Sequence, residues 1–347
     1  MLKKFTGLVL AAALIAAVFT AGGPAFAADS KVYTFNVNIT VPEASMPSYR
    51  QLFTELEQES GGRLKFDMFW AGSLVALPDI PRAIRGGTLD ISMLPTNNYT
   101  SQMPLNSRIL QFPFMGLQGQ MESVGILTRL QKEFPAMQKE FDDLNMVNLG
   151  NWAFPPYHLN LGKKKEVRLP TDLRGLKIMS SKLELQDLFA AAGAAQVQIS
   201  PAEVYTSLEK NVIDGYINNY AFAIMFGLTE ITTAHTELGG WIDFSCTVMN
   251  KARFNELPPD LQALITKKFD EKGHLMTQDQ INLVQRAYAG NVQRGNLIVK
   301  LTEAELNEWK KLTLPAHEKA LVEISRNNPT ARDIYKRAQE LIAETFK

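Results

Sequence analysis

Residues 169–219, LPTDLRGLKIMSSKLELQDLFAAAGAAQVQISPAEVYTSLEKNVIDGYINN, carry the pattern that decides the fold of this 347-residue chain. The segment opens with a strand pattern, DLRGLKI, and continues as a helix, a short strand, a second helix and a final strand, DGYINN. Ser200 is placed to cap the second helix, Pro201 occupies its first turn, and Glu203 completes an S-x-x-E capping box. The alternation of strands with helices predicts an α/β fold with mostly parallel strands covered by helices.

The same alternation extends toward the N-terminus. VYTFNVNI reads as a strand, residues 48–59 as a helix that ends at SGG, and RLKFDMFW as a strand with apolar side chains on one face. DIPRAIRGGTLDISML predicts a helix and a buried strand, and FPAMQKEFDDLNMVNLGNW predicts another helix and strand. PPYHLNLGKKKEVRLP, which is basic and rich in turn residues, suits a crossing between two α/β units.

Toward the C-terminus, GWIDFSCTVMN reads as a strand that returns to the first α/β unit. Residues 259–294 follow a helical pattern in which Gly273 is a position that allows a bend. A helix of this length, on the order of 50 Å, is able to brace both units. Thr302 and Glu305 form a second capping box ahead of another helix, and the chain ends in the amphipathic helix ARDIYKRAQELIAETF.

The first residues have the features of a secretory signal peptide. Lys3 and Lys4 precede an apolar run, and Ala25 and Ala27 form a small-x-small cleavage site. A membrane anchor is the alternative interpretation, but the run is short for a span and rich in alanine. We therefore predict a signal peptide over residues 1–27 and a mature protein in the periplasm.

The composition limits the class of partner. The chain has 36 basic and 36 acidic residues, and this balance argues against nucleic acid, whose phosphates require a clustered basic surface. The single cysteine, Cys246, cannot form an internal disulfide, and its place in IDFSCTVMN predicts a buried, unreactive thiol. We expect a monomer.

Motifs for catalysis or metal binding are missing from the sequence. It contains no G-x-S-x-G elbow, H-E-x-x-H, P-loop or G-x-G-x-x-G. The four histidines are far apart, and no two have the helical spacing of metal ligands: His158, His235, His274 and His317. We therefore predict no catalytic residue, no metal site and no cofactor, and a protein that is not an enzyme.

The combination of DLRGLKI, AEVY and DGYINN resembles the solute-binding proteins of TRAP transporters, the tripartite ATP-independent periplasmic systems that import small organic acids. The resemblance extends over nearly the whole mature chain. It implies an α/β, two-lobed, periplasmic-binding-protein-like fold in which each lobe is a mixed sheet flanked by helices and a long helix braces both lobes. We place lobe I at residues 28–153 plus 244–285 and lobe II at residues 154–243 plus 286–347.

The resemblance also implies a function. An extracytoplasmic protein of this kind closes by hinge motion on a small organic solute and delivers the solute to TRAP membrane permease subunits. Two alternatives stay open. A ligand-sensing periplasmic domain without a transport role would use the same closure, and an exported enzyme would need a catalytic site unlike the known motifs.

A ligand of a two-lobed α/β protein lies where the carboxyl ends of strands from both lobes converge. The candidate residues therefore follow the predicted strands: Asn38, Trp70, Thr96 and Asn97 in lobe I, and Tyr157, His158, Met179, Asn218 and Tyr220 in lobe II. Asn218 falls on the asparagine of the family's DGQEN, which normally contacts the ligand. Ordinary core packing is the alternative for each aromatic residue in this set.

Met179 departs from the family pattern. The family usually has an arginine here, in GLKIR, that clamps the substrate carboxylate, whereas methionine offers only polarizable apolar surface. The departure disfavours a small dicarboxylate or a sialic-acid type of ligand. The aromatic residues near the predicted cleft favour an aromatic or amphipathic one. Arg108, Arg168 and Arg174 are candidates for a carboxylate partner elsewhere.

Overall fold

A computed structural model describes residues 31–346 of the chain, and the predicted signal peptide lies outside this range. Within the range the strands form two sheets, and helices pack against them. The two sheets confirm the predicted α/β architecture, whereas the lobe boundaries stay a prediction. None of the helices described is long and apolar enough to cross a membrane.

The strands are short, and each is numbered in chain order. Their bounds are β1 Tyr33–Asn38, β2 Leu64–Phe69, β3 Ile91–Pro95, β4 Met146–Ala153, β5 His158–Leu161, β6 Lys177–Met179, β7 Ala195–Val197, β8 Gly215–Asn218, β9 Ala234–Glu237, β10 Phe244–Asn250 and β11 Leu297–Lys300.

The first sheet has the strand order β2-β1-β3-β10-β4. β1 is parallel to β2 and β3, whereas β10 runs antiparallel to β3 and β4. Every residue of β10 is buried. Its place between β3 and β4 confirms that GWIDFSCTVMN returns to the first sheet, and burial raises the pKa of the Cys246 thiol, as expected for an unreactive cysteine.

The second sheet has the strand order β11-β9-β5-β8-β6-β7. β5 lies between β8 and β9 and is antiparallel to both. PPYHLNLGKKKEVRLP is therefore more than a crossing, because it contains a strand near the middle of the sheet. The alternation of His158 and Asn160 with two leucines is too short to stand out between a proline pair and a lysine run. The three lysines of the segment are exposed.

The helices cover both sheets. Their bounds are α1 Pro47–Glu59, α2 Ile80–Arg85, α3 Pro104–Arg108, α4 Gln120–Glu133, α5 Pro135–Asp143, α6 Gln186–Ala192, α7 Val204–Glu209, α8 Tyr220–Met225, α9 Lys251–Asn255, α10 Pro259–Lys272, α11 His274–Gln293, α12 Glu303–Ser325 and α13 Ala331–Thr345. Both predicted capping boxes form, one at Ser200 before a 3-10 turn that leads into α7 and one at Thr302 before α12.

The long helical segment is formed by α10 and α11. Gly273 between them has helical angles, φ −57° and ψ −28°, so the backbone continues from one helix into the next. α11 contacts α1 and β4 of the first sheet region and α8 of the second. The prediction of a long helix that braces both units is confirmed.

Two crossing segments, residues 154–157 and 238–243, join the sheets and run side by side. The amide of Phe154 donates to the Asp243 carbonyl at 2.9 Å, and the amide of Tyr157 donates to the Trp241 carbonyl at 3.2 Å. The rings of Tyr157 and Trp241 stack with their centroids 4.1 Å apart. These contacts fix the positions of Tyr157 and Asp243 at the junction of the sheets.

Candidate functional site

A cavity of about 990 Å³ lies where the two sheets meet. Residues at or just after the ends of four strands contribute to its lining: Thr40 after β1, Gly72 after β2, Asn97 after β3 and Asn218 as the last residue of β8. The cavity, which we call the cleft, therefore lies at the carboxyl ends of strands from both sheets. This is the position expected for a ligand in a two-lobed α/β protein.

Most of the cleft surface is apolar. The second-sheet side is a wall formed by α8 and the residue that follows it: Ala221, Phe222, Ile224, Met225 and Phe226. The first-sheet side adds a second apolar group: Val41, Pro42, Ala44 and Leu77. Ile224 and Met225 are 40% and 41% exposed, so the wall presents large apolar side chains to the cleft instead of burying them.

A polar cluster centred on Asp243 forms one end of the cleft. Lys182 Nζ lies 2.8 Å from both carboxylate oxygens of Asp243. The Tyr157 hydroxyl donates to Oδ2 of the same carboxylate at 2.5 Å, and Asn97 Nδ2 donates to it at 2.7 Å. The side chains of Lys182 and Asp243 are only 13% and 2% exposed. The cluster therefore contains a buried ion pair whose charges cancel.

Aromatic rings support this ion pair. Lys182 Nζ lies 5.5 Å from the ring centroid of Tyr157 and 5.6 Å from that of Trp241, within the range of cation–π attraction. Burial and then the charge of Asp243 raise the pKa of Tyr157, so its hydroxyl stays protonated and donates. Lys182 and Asp243 are not among the site residues predicted from the sequence, although Lys182 follows β6 by three residues and Asp243 immediately precedes β10.

Arg286 brings a third charge to the cleft. Gln280, Leu283 and Arg286 line it from α11 at a spacing of three residues, which places them along one face of the helix. Arg286 is exposed and makes no hydrogen bond or ion pair within residues 31–346. Because Asp243 is already paired with Lys182, no carboxylate of the cleft lining pairs with Arg286, whose charge acts on Asp279 of the same helix without an ion-pair contact.

Three of the nine sequence-predicted site residues line the cleft: Asn97, Tyr157 and Asn218. Asn97 and Tyr157 both donate to Asp243. The Oδ1 atom of Asn218 accepts from the amide of Asn219 at 2.9 Å, and its Nδ2 donates no hydrogen bond to the residues described. A ligand-binding role for these residues stays a prediction.

The other three lobe I candidates make contacts within the protein. The side-chain amide of Asn38 donates to the Val75 carbonyl and accepts from the Val75 amide, at 3.2 and 3.1 Å. Thr96 donates to the carbonyl of Phe244 at 3.1 Å. Trp70 packs against the buried apolar cluster that includes Phe35 and Phe53, and the Arg50 guanidinium lies 5.5 Å from the centroid of its ring. None of the three lies in the lining of the cleft.

The remaining lobe II candidates are buried behind the cleft. Met179 is 4% exposed and packs with Val204 and Tyr216. His158 and Tyr220 stack with ring centroids 4.3 Å apart and line a separate cavity of about 500 Å³. The structure therefore places Met179 in a buried apolar cluster and His158 and Tyr220 beside a separate cavity, all outside the cleft lining.

The three arginines considered as carboxylate partners also lie outside the cleft lining. Arg108 is within 3.3 Å of the Glu184 carboxylate, and Arg168 within 3.2 Å of the Glu305 carboxylate. Arg174 is exposed on the turn before β6.

His158 gives a prediction about stability. Neither ring nitrogen has a hydrogen-bond partner among the described residues, and burial and then His235 lower the pKa of His158 to about 3. The folded-state pKa of His158 lies below its unfolded value of about 6.5. The stability that comes from keeping His158 neutral is therefore complete above pH 6.5 and is lost as the pH falls toward 3.

We expect His158→Phe to keep the stacking on Tyr220 and to reduce the loss of unfolding free energy between pH 7.5 and pH 5 by about 2 kcal/mol. Urea unfolding of both proteins at the two pH values measures the difference. An unchanged pH dependence in the variant would show that His158 is not held neutral in the folded protein.

Comparison with known proteins decides the family. The family model described as bacterial extracellular solute-binding protein, family 7, matches residues 46–323, well over half of the chain. The chain belongs to this family. The match includes the quoted segment, both crossing segments and every residue named in the lining of the cleft except those that precede Met46.

The relatives and solved structures that this chain resembles agree with this assignment. The 2,3-diketo-L-gulonate-binding periplasmic protein YiaO of Escherichia coli is 24% identical over 280 residues, 77% of this chain and 83% of YiaO. A TRAP solute-binding protein from Rhodoferax ferrireducens, solved with copurified benzoate, has a TM-score of 0.79 at 19% identity. The similarity covers 91% of this chain and 99% of the Rhodoferax chain.

A TRAP solute-binding protein from a marine metagenome, described as specific for aromatic acids and solved with 3-hydroxybenzoate, has a TM-score of 0.80 at 20% identity. The similarity covers 92% of this chain and 100% of the other. These likenesses show the two-lobed fold of TRAP periplasmic solute-binding proteins.

Family 7 membership confirms the recognition made from the sequence. The chain is a TRAP-type extracytoplasmic solute-binding protein, and such proteins bind small organic solutes and deliver them to a membrane permease. The family implies a periplasmic location, and both family and fold are those of binding proteins rather than enzymes. Within residues 31–346, no three His, Cys, Asp or Glu side chains are placed to hold a metal ion.

Proposed function

We propose that the cleft captures a monocarboxylate with an aromatic or other apolar body and that the protein delivers this solute from the periplasm to a TRAP permease. The observation that carries the proposal is the apolar lining. The α8 wall presents Ile224, Met225 and two phenylalanines to a cavity large enough for a small aromatic acid. A highly hydroxylated ligand would leave many of its polar groups unpaired against such a wall.

The solutes named for three of the relatives support a ligand with one carboxylate, whereas another relative is named for C4-dicarboxylates. Benzoate, 3-hydroxybenzoate and 2,3-diketo-L-gulonate all carry one carboxylate group, and they differ in the rest of the molecule. The apolar wall suits the body of the first two better than the polyhydroxylated body of the third.

The environment of Met179 supports a ligand other than a small dicarboxylate. Its side chain packs with Val204 and Tyr216 and offers no hydrogen-bond donor. A second carboxylate would therefore not find, at this position, the bidentate partner that an arginine provides.

Isothermal titration calorimetry tests the proposal on the protein isolated from the periplasm, unfolded to release any bound molecule and refolded. The ligands are 3-hydroxybenzoate, cyclohexanecarboxylate, succinate and glucuronate. We expect the first two to bind at least tenfold more tightly than the last two, because only they bury an apolar body against α8. Tighter binding of succinate or glucuronate would contradict the proposal.

A pair of variants separates the contribution of the wall from general effects on the protein. Ile224→Asn replaces an exposed apolar side chain inside the cleft, and Val322→Asn makes a comparable change on α12, where Val322 is 45% exposed. We expect the first to weaken 3-hydroxybenzoate binding about tenfold and the second to leave it unchanged. Equal affinities for both variants would show that the α8 wall does not contact the ligand.

A further inference from the structure

The charged groups in the cleft leave one position for an anion. Among the cleft-lining residues that the structure describes, Arg286 is the only lysine or arginine and Asp243 the only acid. Asp243 is occupied by Lys182, Tyr157 and Asn97. A ligand anion therefore meets a neutralised pair at one end of the cleft and, on α11, a cation that has no ion-pair partner in the cleft lining.

The surroundings of Arg286 leave its guanidinium available. Asp279 lies two turns earlier on α11, but its carboxylate accepts from the amide of Ser48 at 2.8 Å and forms no ion pair with Arg286. No carboxylate of the described residues lies within ion-pair distance of Arg286, whereas Arg108 and Arg253 each hold at least one. The guanidinium of Arg286 donates no hydrogen bond to a protein acceptor among residues 31–346, and Asp279 acts on it only through its charge, so its N–H donors can serve a ligand.

The helix that carries Arg286 is held firmly. α11 contacts α1, β4 and α8, so it bridges the elements around both sheets. Leu283, one turn earlier on the same face, is 8% exposed and lines the cleft beside the α8 wall. A carboxylate on Arg286 would therefore have its apolar body directed along Leu283 toward α8, and a guanidinium on a well-packed helix is suited to a fixed bidentate contact.

We propose that Arg286 holds the carboxylate of the ligand, the role that the family pattern gives to an arginine at position 179, where this chain has methionine. This inference rests on the proposed function, because it assigns the anchor for the same ligand. It gives the cleft one anion position, so the site selects monocarboxylates over dicarboxylates. It also places the anchor on the bracing helix, so that ligand binding engages the element that contacts both sheet regions.

The test compares an acid with its neutral amide. Calorimetry with 3-hydroxybenzoate and 3-hydroxybenzamide is carried out on the wild type, Arg286→Gln, Arg286→Lys and the control Arg85→Gln, whose arginine is exposed on α2 outside the cleft. We expect the wild type and the control to prefer the acid at least tenfold. We expect Arg286→Gln to lose tenfold to a hundredfold in affinity for the acid and to bind the amide as before.

Arg286→Lys keeps the charge without the planar fork, so an intermediate loss of acid affinity is expected. Circular dichroism and thermal melting check that each variant is folded. If the wild type prefers the acid and both Arg286 variants keep that preference, the assignment of Arg286 is overturned and the proposed function stands. If the wild type binds neither compound, the proposed function fails, together with the assignment that rests on it.

Discussion

Asp243→Ala is expected to lower the free energy of unfolding by roughly 3–5 kcal/mol, because it leaves the ammonium of Lys182 without its counter-ion in a largely buried position. The change also removes the acceptor of the Tyr157 hydroxyl and of Asn97 Nδ2. Since Asp243 and Tyr157 belong to the two crossing segments, the substitution weakens the contacts that hold the two sheets together.

Urea unfolding followed by tryptophan fluorescence, without ligand, measures this effect. Asp143→Ala is the matched control, because Asp143 pairs with Lys139 on the surface and its loss should cost less than about 0.5 kcal/mol. The double variant Lys182→Met and Asp243→Asn should recover much of the loss, since it removes both charges. A cost for Asp243→Ala as small as that of the control would show that the pair is solvated.

Gly215→Ala is expected to destabilise the protein by about 3 kcal/mol, the upper part of the range for an overpacked core. Gly215 begins β8, which lies between β5 and β6. A Cβ atom there would overlap the backbone carbonyl oxygen of Asn160 and would lie 2.6 Å from Cδ2 of Leu161. The glycine of DGYINN is therefore required by the close approach of β5, and the backbone cannot move away without breaking the pairing of the strands.

Chemical denaturation of Gly215→Ala and of Gly125→Ala gives the comparison. Gly125 lies inside α4, and a methyl group added at its Cα would have open space for 4 Å around it. Its change to alanine should therefore be neutral or stabilise the helix by up to about 1 kcal/mol. Equal stabilities of the two variants would mean that β5 and β8 tolerate a wider separation than the structure shows.

Much of the fold is predictable because its signals are local. The Ser200 and Thr302 capping boxes, the apolar face of α1 and the seven-residue β10 all lie within short windows of sequence. β5, β9 and β11 were harder to find, because each has only four residues and their sheet position comes from pairing with strands far away in the chain.

The candidate site is less accessible to such reasoning. Residues after strand ends were identified, and Asn97, Tyr157 and Asn218 line the cleft. The position after a strand does not reveal where a side chain points, however, and Asn38 and Met179 turn toward the protein interior. The Lys182–Asp243 pair joins residues 61 positions apart, and Arg286 reaches the cleft only because α11 runs beside it.

A crystal structure of the protein grown with 3-hydroxybenzoate tests the account most directly. We predict that the ring lies against Ile224 and Met225 in the cleft and that the carboxylate forms two hydrogen bonds to the guanidinium of Arg286. A ligand bound with its carboxylate away from Arg286 would contradict the anchor, and a cleft that stays empty at saturating ligand would contradict capture of an aromatic monocarboxylate itself.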